Sequence, residues 1–96
     1  MLKQQTRIFS KHAGKYLVTL CRHFARKVPA QWDEFQGEVN FPVGTSLMQV
    51  DERTSSLTII CCAEDEEKLE RQKATIASHV QMFSRREEIE LIWQDC

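Results

Sequence analysis

From Lys11 to about Lys27, apolar side chains return at helical spacing. Ala13, Tyr16, Leu17, Leu20, Cys21 and Phe24 share one stripe, and Lys11, Lys15, Thr19, Arg22 and Arg26 lie opposite. That period predicts an amphipathic helix. Ser10 stands where an N-cap belongs. Arg22, His23, Arg26 and Lys27 suit the negative end of the helix dipole, and Pro29 closes the helix by disfavouring the helical conformation at Val28. Ahead of it, residues 3–9 predict a short opening strand with Ile8 or Phe9 turned inward.

The middle of the chain changes period. Trp32 and Phe35 belong to one extended run that Gly37 breaks, and Glu38-Val39-Asn40-Phe41 alternates as a half-buried strand does. Pro42-Val43-Gly44 marks a turn or bulge before Leu47-Met48-Gln49-Val50 resumes the strand. Asp51 to Ser55 is a polar hairpin connection, and Leu57-Thr58-Ile59-Ile60-Cys61-Cys62 is rich in the β-branched residues that favour a pleated surface.

A second helix opens on Glu64-Asp65-Glu66-Glu67, where a helix N-terminus favours negative charge. Leu69, Ile76, Ala77, Val80 and Phe83 form its stripe, and Ile89, Leu91 and Trp93 then alternate into a final strand. The order (β)αβββαβ predicts an α+β, two-layer sandwich, with two helices packed on one face of a mainly antiparallel sheet. The other face is solvated or an interface; Met48 or Ile92, if turned outward, would favour dimerisation there. Monomer and homodimer both remain open.

Length and composition agree with one domain spanning residues 1–96. The 96 residues are 42% hydrophobic and 28% charged, with three Gly and two Pro, which excludes disordered and collagen-like chains. No apolar run approaches a membrane span, and the first residues lack the apolar stretch of a signal peptide, so the expected location is cytoplasmic. The net charge of −1 conceals a strong polarity: residues 1–32 hold seven Lys and Arg and no acid, whereas residues 33–96 hold six and all 14 acids. A basic first third can steer an anionic ligand or an acidic partner. The simpler reading is that the basic segment lies beside the acidic one in the fold.

The four cysteines, Cys21, Cys61, Cys62 and Cys96, read as reduced thiols without a disulfide framework. Adjacent Cys61 and Cys62 point to opposite faces of a strand and cannot jointly chelate a metal. No C-x-x-C, H-x-x-x-H or H-E-x-x-H spacing is present, so no metal site or cofactor is expected. The signatures of a nucleophile elbow, a phosphate loop and a dinucleotide fold are also missing, and no catalytic residue is assigned. A mildly acidic chain without basic residues interleaved with exposed aromatics argues against a nucleic-acid partner.

What remains is a border between the two helical stripes. Tyr16, Leu20, His23 and Lys27 follow one line on the first helix, and His79 lies between Ile76 and Phe83 on the second. If the helices pack side by side, His23 and His79 face a common seam. With Tyr16 as a wall, Lys27, and an Arg from Arg85 or Arg86, they would hold an anionic or metal-bearing ligand. Border histidines each making one local hydrogen bond fit the same pattern.

Lys15-Tyr16-Leu17 followed by Leu20-Cys21-Arg22-His23-Phe24-Ala25-Arg26-Lys27-Val28-Pro29 resembles the opening signature of a small bacterial family, domain of unknown function 2218. The likeness continues through Gly37-Glu38-Val39-Asn40-Phe41-Pro42-Val43-Gly44 and ends with His79, Phe83, Arg86 and Glu87. It covers residues 6 to 93. Arg26 departs from it, standing where the family pattern would carry a second histidine. The resemblance implies an association with siderophore-interacting, flavin-dependent ferric reductases, because family members are similar to segments beside or fused to them. The expected function is therefore a non-catalytic binding module using Tyr16, His23, Lys27, His79 and Arg86, with a ferric siderophore or its reductase as partner. An accessory enzyme with His23 as acid–base, and a purely protein-binding or regulatory domain, are the alternatives.

Overall fold

The computed structural model describes residues 1–84 and 87–96. Its elements are β1 (Leu2–Phe9), α1 (Ala13–Phe24), β2 (Ala30–Trp32), β3 (Gln36–Phe41), β4 (Gly44–Asp51), β5 (Ser56–Ala63), α2 (Glu66–Phe83) and β6 (Gln94–Asp95). All the strand pairs are antiparallel, in the order β2-β3-β4-β5-β1-β6. Both helices pack on one face, α1 over β2 to β5 and α2 over β4, β5 and β1. The α+β sandwich expected from the pattern is therefore the fold.

Alternation along the strands assigns the faces. Leu57, Ile59, Cys61 and Ala63 of β5 point under the helices with Met48, Val39 and Ile8, and meet Leu17, Leu20 and Cys21 of α1 and Leu69, Ile76 and Val80 of α2. Ile8 is the inward residue of β1, and Phe9 is 65% exposed. Met48 is fully buried against the Cys21 thiol, so it cannot serve an outer interface, whereas Ile92 is exposed.

Several boundaries differ from the pattern. Ser10 does not cap α1: its Oγ accepts from the His12 N–H and its carbonyl from the Ala13 N–H, which places the N-cap at His12. α1 stops at Phe24, and residues 25–28 form a turn in which the Lys27 and Val28 N–H groups return to the Phe24 carbonyl. Trp32 and Phe35 lie on either side of a turn that Asp33 makes by accepting the Phe35 and Gln36 N–H groups. Those bonds hold the Asp33 carboxyl below its usual range. Gly37 does not break the strand; it sits inside β3, paired with Met48 and Trp32, because α1 approaches so closely that a Cβ there would lie 2.6 Å from Cys21 Sγ.

The final strand is the largest correction. Ile89, Leu91 and Trp93 are half-buried against the core and Glu90 and Ile92 exposed, yet residues 88–93 belong to no ladder. Pairing with β1 begins only at Gln94 and Asp95. Period-two burial requires one apolar side, which an extended strap satisfies without a hydrogen-bonded neighbour. α2, by contrast, starts as its acids foretell: Asp65 caps by accepting the Lys68 N–H, and Glu64 and Glu67 pair with Lys68 and Arg71 one turn on. No helix among the described residues is long and apolar enough to cross a membrane.

Candidate functional site

α1 and α2 meet where their stripes end, and the meeting brings His23 and His79 together. The ring centroids are 4.8 Å apart and tilted by 52°. Phe24 lies 4.7 Å from His79 and 4.9 Å from Phe41, and Phe83 lies 5.5 Å from His23. Phe24 and Phe83 thus wall two half-buried imidazoles at the C-terminal end of α1, and Phe41 packs behind Phe24.

Hydrogen bonding fixes one tautomer. His79 Nδ1 lies 2.7 Å from the Thr75 carbonyl, which can only accept, so Nδ1 carries the proton. Neutral His79 therefore keeps an unprotonated Nε2, and among the described residues that nitrogen has no hydrogen-bond partner; neither does either nitrogen of His23. A histidine that donates one nitrogen to a backbone carbonyl has its other nitrogen aimed and made more basic, the arrangement used to orient imidazoles toward a metal or an acidic ligand group.

The surroundings favour the uncharged form of the neighbour. His23 titrates below its ordinary value because burial disfavours its cation and because His79, Arg26 and Lys27 add positive potential. The same potential attracts an anion. Among the described residues no three His, Cys, Asp or Glu side chains gather in a group able to hold a metal ion, so the pair is no closed metal centre.

The other candidates are placed differently. Lys27 is exposed on the turn that follows α1, beside the imidazoles. Arg85 and Arg86 lie outside the described residues. Tyr16 lies two helical turns, about 10 Å, before His23. It is buried, and its hydroxyl donates to Glu87 Oε1 at 2.5 Å. Ser10 Oγ lies 2.9 Å and 3.0 Å from the two oxygens of the same carboxylate. Burial and the Glu87 carboxylate push the Tyr16 hydroxyl up to about 12, and the bonds from Tyr16 and Ser10 hold Glu87 below its usual range. Tyr16 is thus committed to holding the strap after α2.

Phe24 and Phe83, the walls of the pair, and Phe41 behind Phe24 stand in the sequence only as core or strand residues. Nothing in their spacing marks Phe24 and Phe83 as a common enclosure, because they come from two different helices.

The family model for uncharacterized proteins conserved in bacteria, domain of unknown function 2218, matches residues 5–94. The chain belongs to this family. The domain of unknown function 2218 fold described above is also similar to the NMR structure of PA4090 from Pseudomonas aeruginosa. The TM-score is 0.80 at 21% identity, over 98% of this chain and 96% of that one. That likeness concerns the fold alone. Among curated proteins, none matches this member of the family.

Proposed function

We propose that this domain is a non-catalytic binding module that holds an anionic metal chelate, of which a ferric siderophore is the leading case, at the His23–His79 pair. One observation carries the reading: two half-buried imidazoles with unbonded nitrogens, walled by phenyl rings and biased positive by Arg26 and Lys27. An imidazole nitrogen can accept from, or coordinate within, such a complex, and the phenyl rings offer faces to its flat aromatic or apolar parts. The cations supply charge complementarity. A free divalent cation is a poorer fit, since two ligands beside two positive side chains would leave it underbound.

Catalysis finds less support. Among the described residues neither imidazole has a carboxylate partner within ion-pair distance, so nothing orients His23 as a general base. Docking onto a siderophore-interacting reductase is compatible with a bound chelate, because the pair is only half covered.

The test is calorimetric titration of the full chain with ferric, gallium and metal-free forms of a catecholate and a hydroxamate siderophore. Histidine ring resonances are followed in the diamagnetic gallium case. The expected result is saturable, metal-dependent binding that shifts the His23 and His79 rings and weakens about tenfold or more in His79→Ala. Flat titrations with every complex would remove the proposal.

A further inference from the structure

The helices cover one face of the sheet and leave the other bare. On the bare face Ile60 of β5 and Leu47 of β4 are direct cross-strand partners and only half-buried, with half-buried Cys62 beside them. The same row continues from Ile60 to Gln5 of β1 on one side and from Leu47 to Glu38 of β3 on the other. Lys3 and Arg7, two residues either way from Gln5 on β1, point to the same side as Ile60. The Arg7 Nε lies 3.3 Å from Thr58 Oγ1, which lays the guanidinium across the face. An apolar centre is therefore bordered by cations on β1 and by an anion on β3. Among the described residues every ion pair lies on α2 or just before it, and none involves Lys3, Arg7 or Glu38.

We infer that this face docks a second copy of the same chain. A two-fold axis running along the strands, between β4 and β5, sets Ile60 and Leu47 of one copy over those of the other. It also places β1 over the second copy's β3, so that Glu38 falls between the second copy's Lys3 and Arg7. An axis across the strands would instead place β1 on β1, cation against cation. The charge pattern thus selects one of the two face-to-face arrangements, and an isologous contact satisfies both borders at once.

The size of the surface sets its strength. Four strands at about 4.8 Å spacing and about seven residues in length offer roughly 450–500 Å² per copy. The total, roughly 1,000 Å², is at the lower limit for a specific interface and describes a weak, reversible dimer. The chelate site is on the opposite face and stays free.

Sedimentation equilibrium of the full chain up to millimolar concentration tests this. The wild type is expected to dimerise reversibly, and more weakly at high salt. Glu38→Arg alone, or Lys3→Glu with Arg7→Glu, should weaken the dimer about tenfold or more. Combining all three reversals should restore it, since the borders are then exchanged. Circular dichroism identifies any variant that fails to fold. A second measurement needs no charge variant. In the Cys96→Ser chain, Cys62 of one copy lies one strand spacing aside and one sheet separation above its equivalent, about 11 Å away. A short bismaleimide should therefore link Cys62 to Cys62 at concentrations where the dimer forms. A wild type that stays monomeric throughout, a dimer indifferent to Glu38→Arg, or a dimer without the Cys62 link would each overturn the inference.

Discussion

The Tyr16 hydroxyl donates to the Glu87 carboxylate, joining the first turn of α1 to the segment that follows α2. Ser10 donates to the same carboxylate, so Glu87 is the anchor of an extended strap whose apolar residues Ile89, Leu91 and Trp93 close one edge of the core. The strap has no ladder bonds of its own over residues 88–93, which makes that anchor and the side-chain burial its main restraints.

Tyr16→Phe and Glu87→Gln should therefore loosen the strap before the rest of the fold. Hydrogen exchange is expected to quicken at Ile89 to Trp93 in both variants, with little change in β4 and β5. The pH dependence follows from Glu87. Its folded value lies below the unfolded one, so its contribution is present above the ordinary carboxylate range and is lost as pH falls through the folded value. Acid should release the strap in the wild type, and Glu87→Gln should remove that step.

His23 acts in the opposite sense. Burial and the neighbouring positive groups lower its value in the folded state, so below its ordinary value of 6.5 the unfolded chain takes up a proton that the folded chain does not. Stability should therefore decline as pH falls from about 6.5 toward the folded value. Urea denaturation at a series of pH values should show this slope in the wild type and a flatter one in His23→Gln.

Gly37 and Cys21 form a tight pair across the α1–sheet boundary. A Cβ at Gly37 would lie 2.6 Å from Cys21 Sγ, and that sulfur also lies 3.9 Å from Met48 Sδ, so it has little room to yield. Gly37→Ala is expected to cost about 1–3 kcal/mol by overpacking. Cys21→Ala removes the clashing atom, so the double variant should be more stable than the sum of the two single effects predicts, a coupling measurable in a double-mutant cycle.

The buried amide of Gln72 interrupts the apolar stripe of α2. Its Oε1 accepts from Ser46 Oγ at 2.7 Å and its Nε2 donates to the Cys62 carbonyl at 3.0 Å. Gln72→Leu would leave a hydroxyl and a carbonyl without these partners and should cost about 1–3 kcal/mol. Adding Ser46→Ala should recover part of it. The same node explains Gly44, where a Cβ would collide with the Cys62 carbonyl and with Gln72 Nε2.

The pattern of residues by itself determined the two helices, the strand runs from Glu38 to Cys62, the antiparallel two-layer arrangement and the inward faces. Each of these depends on side chains a few positions apart, which a linear period records directly. Asp65 and the acids after it were legible as a helix start for the same reason. The stripe positions of His23 and His79 also indicated a shared seam, on the condition that the helices lie side by side. Only the tertiary structure decided that condition, and with it the 4.8 Å separation of the rings and their phenyl walls. It also decided that Gly37 continues a strand, because the reason is a sulfur atom on a helix sixteen residues away in the chain. Residues 89–93 are the clearest case. Their alternation records burial on one side, and whether a backbone partner lies alongside depends on where β1 ends up. Local spacing carries burial, whereas close contacts between distant segments are set by how the helices settle on the sheet.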